Sequence, residues 1–355
     1  WKVSEDGQTP KHIYFMGKDN IPFHTVIWPA IIMGINATRS GRPIAHIESP
    51  GDMALESNVS SNEYLMLQGG QFSKSRKHAV WLPSFLEKYD ADSLRYYLSI
   101  NMPETHDTDF RWEDFVDRVN NELIGTYGNF VHRVMTLTHR LSEDGSNPLS
   151  TFDDPEAHTK IIEETRKIID SAISSMERQR FKEALRSIMG IAQIGNALLQ
   201  NSAPWKYIGS DDSEDRTRSL SSLAMAWRLC RTLSILTRPF MPFQSDKLWS
   251  MLGETEEIDS MLWDDSLDVE GNLMWNPEKP NPLFSRLDLD EIIADEKSIV
   301  EDSNVNDQEL APKSGDDYIE FEDFLKVKMR TGKITSVEDH PNADKLLVIK
   351  IEDGP

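Results

Sequence analysis

Residues 12–24 read His12-Ile13-Tyr14-Phe15-Met16-Gly17-Lys18-Asp19-Asn20-Ile21-Pro22-Phe23-His24. Five residues rich in β-branched and aromatic side chains predict a short buried strand. The polar run Gly17-Lys18-Asp19-Asn20 predicts a turn. Pro22 then suits the first position of a helix, with Asn20 or Ile21 near its N-cap, continuing to about Ile35. Strand, polar turn and helix in this order place ligand groups at the C-terminal end of a strand, as in open α/β sheets.

Downstream, Gly69-Gly70 precede Phe72-Ser73-Lys74-Ser75-Arg76-Lys77. A lysine between two hydroxyls on a glycine-hinged loop is suited to phosphate: the ammonium is a point charge, and hydroxyls and loop N–H groups donate to phosphate oxygens. Read alone, the same run also describes a solvated surface loop.

From about Ala91 the pattern turns helical. Phe115, Val119, Ile124, Tyr127, Val131, Val134 and Leu141 recur near a 3.6-residue period within 111–141. Further helices are predicted at about 156–179, 181–201, 214–237 and 242–252. Ala203-Pro204, Arg238-Pro239 and Met241-Pro242 supply the breaks. Five helices on short loops make a bundle. Strands are predicted at 327–334 and 345–351, with His340-Pro341-Asn342-Ala343-Asp344 as the turn between them.

Composition narrows the classes. The chain of 355 residues is long enough for two or three domains. The single cysteine, Cys230, excludes a disulfide framework and a cysteine zinc site, and it fits a reducing, cytoplasmic setting. The longest uninterrupted apolar run, Val26 to Ile35, is about ten residues and includes a proline, too short for a bilayer span. A net charge of −22 argues against non-specific attraction to nucleic acid, so a polyanion must be met by local patches. Acidic residues dominate 288–323, which predicts a solvated linker.

Two pairs at helical spacing stand out. His24 and Trp28 share a helix face and wall an apolar pocket, or are packed core residues. Asp19 at the strand end accepts from ribose hydroxyls or caps the helix. Asn129 and Arg133, with Trp205 after Pro204, supply an amide, a guanidinium and an aromatic plane for reading unstacked bases; on spacing alone, a polar helix face with a core tryptophan is the stronger explanation of the same residues.

The order of these segments resembles the methionyl-tRNA synthetase family of class I aminoacyl-tRNA synthetases, in its archaeal or eukaryotic-like form. Residues 15–24 with Trp28-Pro29 resemble the family's second Rossmann half, and Phe72-Ser73-Lys74-Ser75-Arg76 its signature loop. Asp90-Ala91-Asp92-Ser93-Leu94-Arg95-Tyr96-Tyr97 resembles the segment entering the helical domain. Asn129, Arg133 and Ala203-Pro204-Trp205 resemble the anticodon-reading set. Residues 321–327 and 340–346 resemble the start of an appended oligonucleotide-binding (OB) barrel.

The resemblance implies an α/β plus all-α plus β architecture. Residues 1–70 form the second Rossmann half, 71–110 the signature loop and stem-contact region, and 111–285 the helical anticodon-binding domain. Residues 286–317 form the acidic linker and 318–355 a truncated OB-fold. It implies ATP-dependent attachment of methionine to tRNA(Met), with Lys74, Ser73 and Ser75 catalytic. Lys74, Asp19 and Lys18 hold ATP with its Mg2+, Phe23, His24 and Trp28 hold methionine, and Asn129, Arg133 and Trp205 read the CAU anticodon. No metal ligand is assigned within the chain; any zinc belongs to an upstream region. The chain is expected to be an incomplete and, alone, inactive part of its enzyme, with no membrane partner and with homodimerisation through the barrel.

Two departures stand against the family pattern. Gln71 replaces the first lysine of the signature loop, leaving Arg76 or Lys77 to compensate. The stretch 47–61, with Glu48, Asp52 and Glu56, is longer and more acidic than the family pattern leads one to expect before this loop. Two alternatives stay open: a non-catalytic tRNA-binding or assembly protein, and another class I synthetase, which the two residue sets disfavour.

Overall fold

The structure is a computed structural model that describes residues 1–43, 49–141, 148–271, 273, 280–298, 322, 325–326, 332–339 and 346–353. It divides into two units, residues 1–300 and 301–355.

The first unit opens with a βαβ element. Strand β1 (Ile13–Gly17) leads through a 3-10 turn, Lys18–Asn20, and a helical turn widened to i+5 bonding, Phe23–Ile27, into α1 (Trp28–Ser40). Gly41, in the left-handed region at φ 65°, ends the helix five residues beyond its predicted stop. The chain returns as β2 (Asn58–Asn62), parallel to β1 with Ile13 opposite Asn58. A parallel pair needs such a crossover, and this one supplies the expected half of a Rossmann-type unit. From Lys18 to Ser40 the chain is helical over 23 residues, long and apolar enough by composition to span a bilayer, which the shorter count from sequence missed. One side of it is tied down: the Asn36 amide donates to the Met53 carbonyl at 2.8 Å and accepts the Met53 N–H at 2.9 Å. Phe23, Ile27 and Ile31, every fourth residue, are exposed on it.

A small second sheet follows. Strands β3 (Leu65–Leu67) and β4 (Gly70–Gln71) form a tight hairpin, and β3 also pairs in parallel with β5 (Thr108–Phe110). Between them lie α2 (Leu82–Lys88) and α3 (Ala91–Ile100), the latter N-capped by Asp90, whose carboxylate accepts the Ser93 N–H at 2.8 Å.

The bundle then runs from α4 (Trp112–Arg118) through a second widened turn, Val119–Gly128, into α5 (Asn129–Leu141) without a break. Helices α6 (Pro148–Phe152), α7 (Thr159–Glu177), α8 (Phe181–Ser202), α9 (Pro204–Tyr207), α10 (Ser213–Thr237) and α11 (Pro242–Met251) complete it. The proline breaks fall where expected. Ala203 takes the left-handed conformation at φ 41° and turns the chain between α8 and α9. Helix α10 is the central one, with Leu223, Trp227, Cys230 and Leu233 all buried in one core that also holds Phe115, Tyr127 and Leu185. Burial alone pushes the Cys230 thiol pKa up, so that it behaves as a small apolar core group.

Asp92 carries an unusual buried charge site. It is fully buried, its Oδ2 accepts the Gln244 N–H at 2.7 Å at the start of α11, and its Oδ1 has no partner. Burial pushes its pKa up to about 6, with the Gln244 N–H and Arg95 working against it and Asp90 adding to it. A carboxyl that binds its proton more tightly when folded favours folding below its unfolded pKa. That advantage is lost as the pH rises through about 6. Asp92→Asn, which keeps an acceptor and cannot ionise, is therefore expected to gain stability over the parent between pH 4.5 and 7.5, by on the order of 2 kcal/mol. Thermal melts at both pH values test this; a pH-independent difference would show that the side chain is not ionising in the fold.

Residues 289–298, expected within the acidic linker, form a helix, α12, packed within the first unit. Ile292 is fully buried, and Asp295 accepts from Lys88 and from the Tyr89 hydroxyl, the latter at 2.6 Å. Buried Ile292 and these two bonds fix a segment whose acidic composition alone suggested solvent. The rest of the expected linker, 299–317, lies outside the described residues.

In the second unit, β6 (Gly332–Asp339) and β7 (Leu347–Asp353) form an antiparallel pair with a register shift between Ile334 and Ser336. The described part of the first strand runs five residues past its predicted end, with Val337, Glu338 and Asp339 opposite Ile349, Val348 and Leu347; residues 327–331 lie outside the described residues. The expected turn 340–344, and Lys328 and Arg330, lie outside the described residues.

Candidate functional site

The turn after β1 builds an aromatic cleft. The widened turn 23–27 and the first turn of α1 place Phe23, His24, Ile27 and Trp28 along one side, and Tyr14, projecting from β1, faces them. With Trp1 at its mouth the cleft encloses about 400 Å3. Its walls are fixed by polar contacts: Trp28 Nε1 donates to Tyr14 Oη at 3.0 Å, and His24 Nδ1 donates to the Asn20 carbonyl at 3.0 Å. The Tyr14 and His24 rings lie 5.8 Å apart, and Trp1 stands edge-on to Trp28 at 6.3 Å. An apolar side chain with a polarizable sulfur would meet ring edges and faces here. Of the aromatic walls, Phe23, His24 and Trp28 were legible in the sequence; Tyr14 and Trp1 were not singled out.

Lys18 is placed differently from its expected ATP role. Its ammonium pairs with Glu63 and with Asp107 at 3.3 Å, and lies 4.4 Å from the Tyr64 ring centroid. These partners, Glu63 above all, raise its pKa despite partial burial. Lys18 therefore clasps the end of β1 to the segments flanking β3. Asp19 beside it is exposed.

The serine–lysine loop has defined geometry. Gln68 and Gly69, at φ 48° and 78°, form the β3–β4 turn, and the Gly69 N–H donates to Asp109 at 2.9 Å. Ser73 and His78 exchange backbone bonds at 2.9 Å each way, closing a short loop whose last turn is made by Lys77 at φ 54°. Ser73 Oγ lies 3.2 Å from Ser75 Oγ and accepts the Arg76 N–H at 3.3 Å. His78 Nε2 donates to the Leu67 carbonyl at 2.7 Å, anchoring the loop to β3. Lys74, Ser75 and Arg76 stand exposed at the tip, and Gln71 is exposed at its base.

The third set converges across the bundle. Asn129 and Arg133 lie one turn apart on α5, and Trp205 opens α9 after the left-handed Ala203. The Arg133 guanidinium carbon stands 4.8 Å from the Trp205 ring centroid. Asn196 on α8 is the hub that sequence reasoning missed: its Oδ1 accepts from Asn129 Nδ2 at 3.3 Å and from Arg133 Nη1 at 3.5 Å. Its own Nδ2 donates to the Thr126 and Ala192 carbonyls at 2.9 and 3.1 Å. The same Thr126 carbonyl also accepts the Asn129 N–H at the end of the widened turn 119–128. Trp205 remains 43% exposed, so one ring face is open beside an oriented guanidinium and an amide.

Two family models account for most of the chain: "tRNA synthetases class I (M)" over residues 1–135 and "Anticodon binding domain of methionyl tRNA ligase" over residues 151–287. Methionine–tRNA ligases match it along its whole length, with 35% identity to that of Pyrococcus abyssi, of which it covers 52%, and 36% to that of Porphyromonas gingivalis, of which it covers 49%. The chain belongs to the methionyl-tRNA synthetase family. It spans about half the length of the curated relatives it matches. Among solved structures, the apo form of Mycobacterium tuberculosis methionyl-tRNA synthetase superposes with a TM-score of 0.62 at 20% identity, over 79% of this chain and 50% of that one. The same enzyme bound to methionyl-adenylate gives 0.61 at 20% identity, over 78% of this chain. At that identity the likeness speaks for the fold, the α/β half joined to a helical anticodon-binding domain.

Within the family frame, the three sets fall in both matched segments: the cleft, the loop, Asn129 and Arg133 in the first, Asn196 and Trp205 in the second. Among the described residues no three His, Cys, Asp or Glu side chains gather as a metal site.

Proposed function

We propose that this chain carries the methionine cleft, the phosphate loop and the anticodon reader of a methionine–tRNA ligase. The observation that carries the reading is the convergence of Asn129, Arg133 and Trp205, from two separate helices, around the half-buried amide of Asn196. A tryptophan face offers stacking to an unstacked base, and the guanidinium and amide offer donors and an acceptor to its edge. In this reading the partner is tRNA(Met) with its CAU anticodon, and the second unit begins an OB-fold that adds tRNA contacts through Lys326 and Lys333 and pairs two subunits.

Methionine lies with its thioether among Tyr14, His24 and Trp28. Its carboxylate oxygen attacks the α-phosphorus of ATP, supplied with Mg2+; the new O–P bond forms as the bond to the β-phosphate bridge oxygen breaks, and pyrophosphate leaves. Lys74, with the Ser73 and Ser75 hydroxyls, meets the charge gathering on that leaving group, a transition-state role for fixed donors. Asp19 accepts from the ribose. The methionyl group then passes to a terminal ribose hydroxyl of the tRNA, releasing AMP. The setting is cytoplasmic.

Equilibrium binding of the chain to tRNA transcripts bearing CAU or a changed anticodon, near physiological salt, tests the reading. About tenfold or greater preference for CAU is expected, since one lost base contact removes about 1–3 kcal/mol. Equal binding of both transcripts would remove the anticodon assignment.

A further inference from the structure

At a net charge of −22, a polyanion must be met by a local cluster of cations that carboxylates of the chain do not already hold. Lys18, Lys88, Arg118, Arg228, Arg231 and Arg238 all hold carboxylates. The short run from the end of α7 into α8 is different: Arg178, Arg180, Lys182 and Arg186 hold no carboxylate within salt-bridge distance among the described residues.

Arg178, Arg180 and Arg186 border two polar hollows. One, of about 250 Å3, lies between β2 and the α7–α8 turn and is bounded by Ser60, Ser61, Asn62, Arg178 and Arg180. The other, of about 190 Å3, is bounded by Tyr96, Arg118, Glu122, Thr126 and Arg186. The acids at their edges are already engaged. Glu104 accepts the Lys182 N–H at 2.9 Å, and Glu122 accepts from Tyr96 and from Arg118 at 3.1 Å. The turn is held rigidly: Gln179 is buried in the left-handed region at φ 57°, and its side-chain oxygen accepts from Asn58 on β2. The Lys182 ammonium pKa is lowered by burial and by the Arg186 charge, so like charges are held close together.

Along α8, Lys182, Arg186, Met189, Gln193 and Asn196 follow at intervals of three or four residues and share one face. Fourteen residues of helix span about 21 Å. The face ends at the anticodon patch, because Thr126, which borders the second hollow, also accepts from Asn196. We infer that the α7–α8 turn and this face of α8 form a seat for the phosphodiester backbone of the tRNA stem that leads away from the anticodon. Guanidinium groups and serine hydroxyls at a rigid groove suit phosphate oxygens. The inference rests on the tRNA reading above and adds a second, sequence-independent contact to it.

The test is the salt dependence of tRNA binding by the full chain, by Arg180→Gln/Arg186→Gln and by Trp205→Ala, with a melt of each to confirm folding. The double variant is expected to lower the slope of log K against log salt by about 1.5, and to weaken CAU and changed transcripts alike by about tenfold or more. Its preference for CAU stays. Trp205→Ala is expected to do the reverse, keeping the slope and losing the preference. An unchanged slope in the folded double variant, with CAU preference present in the parent, overturns the stem seat and leaves the anticodon reading standing. If the parent shows no CAU preference while the double variant still lowers the slope, the seat stands and the anticodon reading falls. Absence of tRNA binding by the parent removes both.

Discussion

Trp205→Ala is expected to abolish discrimination between CAU and changed anticodons and to weaken binding of the CAU transcript by about 10- to 100-fold, the cost of about 1–3 kcal/mol for a lost base stack. The argument starts from the chain break. Ala203, forced into the left-handed region by the end of α8, and Pro204, buried beneath the turn, set the direction in which Trp205 leaves the bundle. The indole is only partly covered, so its removal takes little from the core while deleting the plane on which a base would stack. A second effect comes through Arg133. Its guanidinium rests on that indole at 4.8 Å and touches the rest of the patch only by a 3.5 Å bond to Asn196. Without the ring the arginine is free to leave its orientation, so the variant loses base-edge contacts as well. Arg133→Lys separates the two effects: it keeps the charge, loses the planar fork, and is expected to lower affinity less than Trp205→Ala. Titrations of both transcripts against the three proteins measure this. A Trp205→Ala protein that still prefers CAU would mean the indole is only a lid on α8 and α9.

How much of this was legible in the sequence depended on whether the signal was local. Proline breaks at 204, 239 and 242 act on their own neighbours, so the boundaries of α8, α10 and α11 came out within a residue or two, while the short α9 was not foreseen. The strand–turn–helix at 13–40 was legible for the same reason, although the positive φ of Gly41 moved its end. Pairs on one helix were also visible: His24 with Trp28, and Asn129 with Arg133. What joins them was not. Asn196 is one asparagine in a 22-residue helix, and nothing in its own neighbourhood marks it as the acceptor for two residues on α5. Lys18 is similar: the resemblance implied a place at ATP, and its contacts in the fold with Glu63 and Asp107, about 45 and 90 residues away, were not visible. Helix α12 was hidden because its acidic residues outnumber the single buried Ile292 that holds it. In each case the missing information is a long-range partner, which periodicity and composition do not encode.

Arg228→Met is expected to cost about 3–5 kcal/mol of stability, the largest single effect among the charged residues described here. Arg228 sits on α10, the central helix, with its side chain 5% exposed against Asp153, 17% exposed, on the chain after α6. Its guanidinium also donates to the Asp268 carbonyl and, at 2.9 Å, to the Gly271 carbonyl, so one side chain ties α10, the α6–α7 connection and the loop after α11. Methionine fills similar volume but leaves a poorly solvated carboxylate and two carbonyls without donors, and the cost lies in those orphans more than in the lost attraction. The double variant Arg228→Met/Asp153→Leu removes the buried charge together with its partner and should recover much of the loss, leaving about 1–2 kcal/mol for the two carbonyls. Urea unfolding of the parent, both single variants and the double gives the coupling directly. A loss below about 1 kcal/mol in Arg228→Met would mean that water reaches Asp153 and takes over the bonds. Because α10 packs on α5, α8 and α9, a full loss should also lower the affinity for the CAU transcript at temperatures where the parent is still folded. The Trp205→Ala protein, by contrast, should lose affinity without losing stability, and the two variants thereby separate a reader that has been unfolded from one that has been blinded.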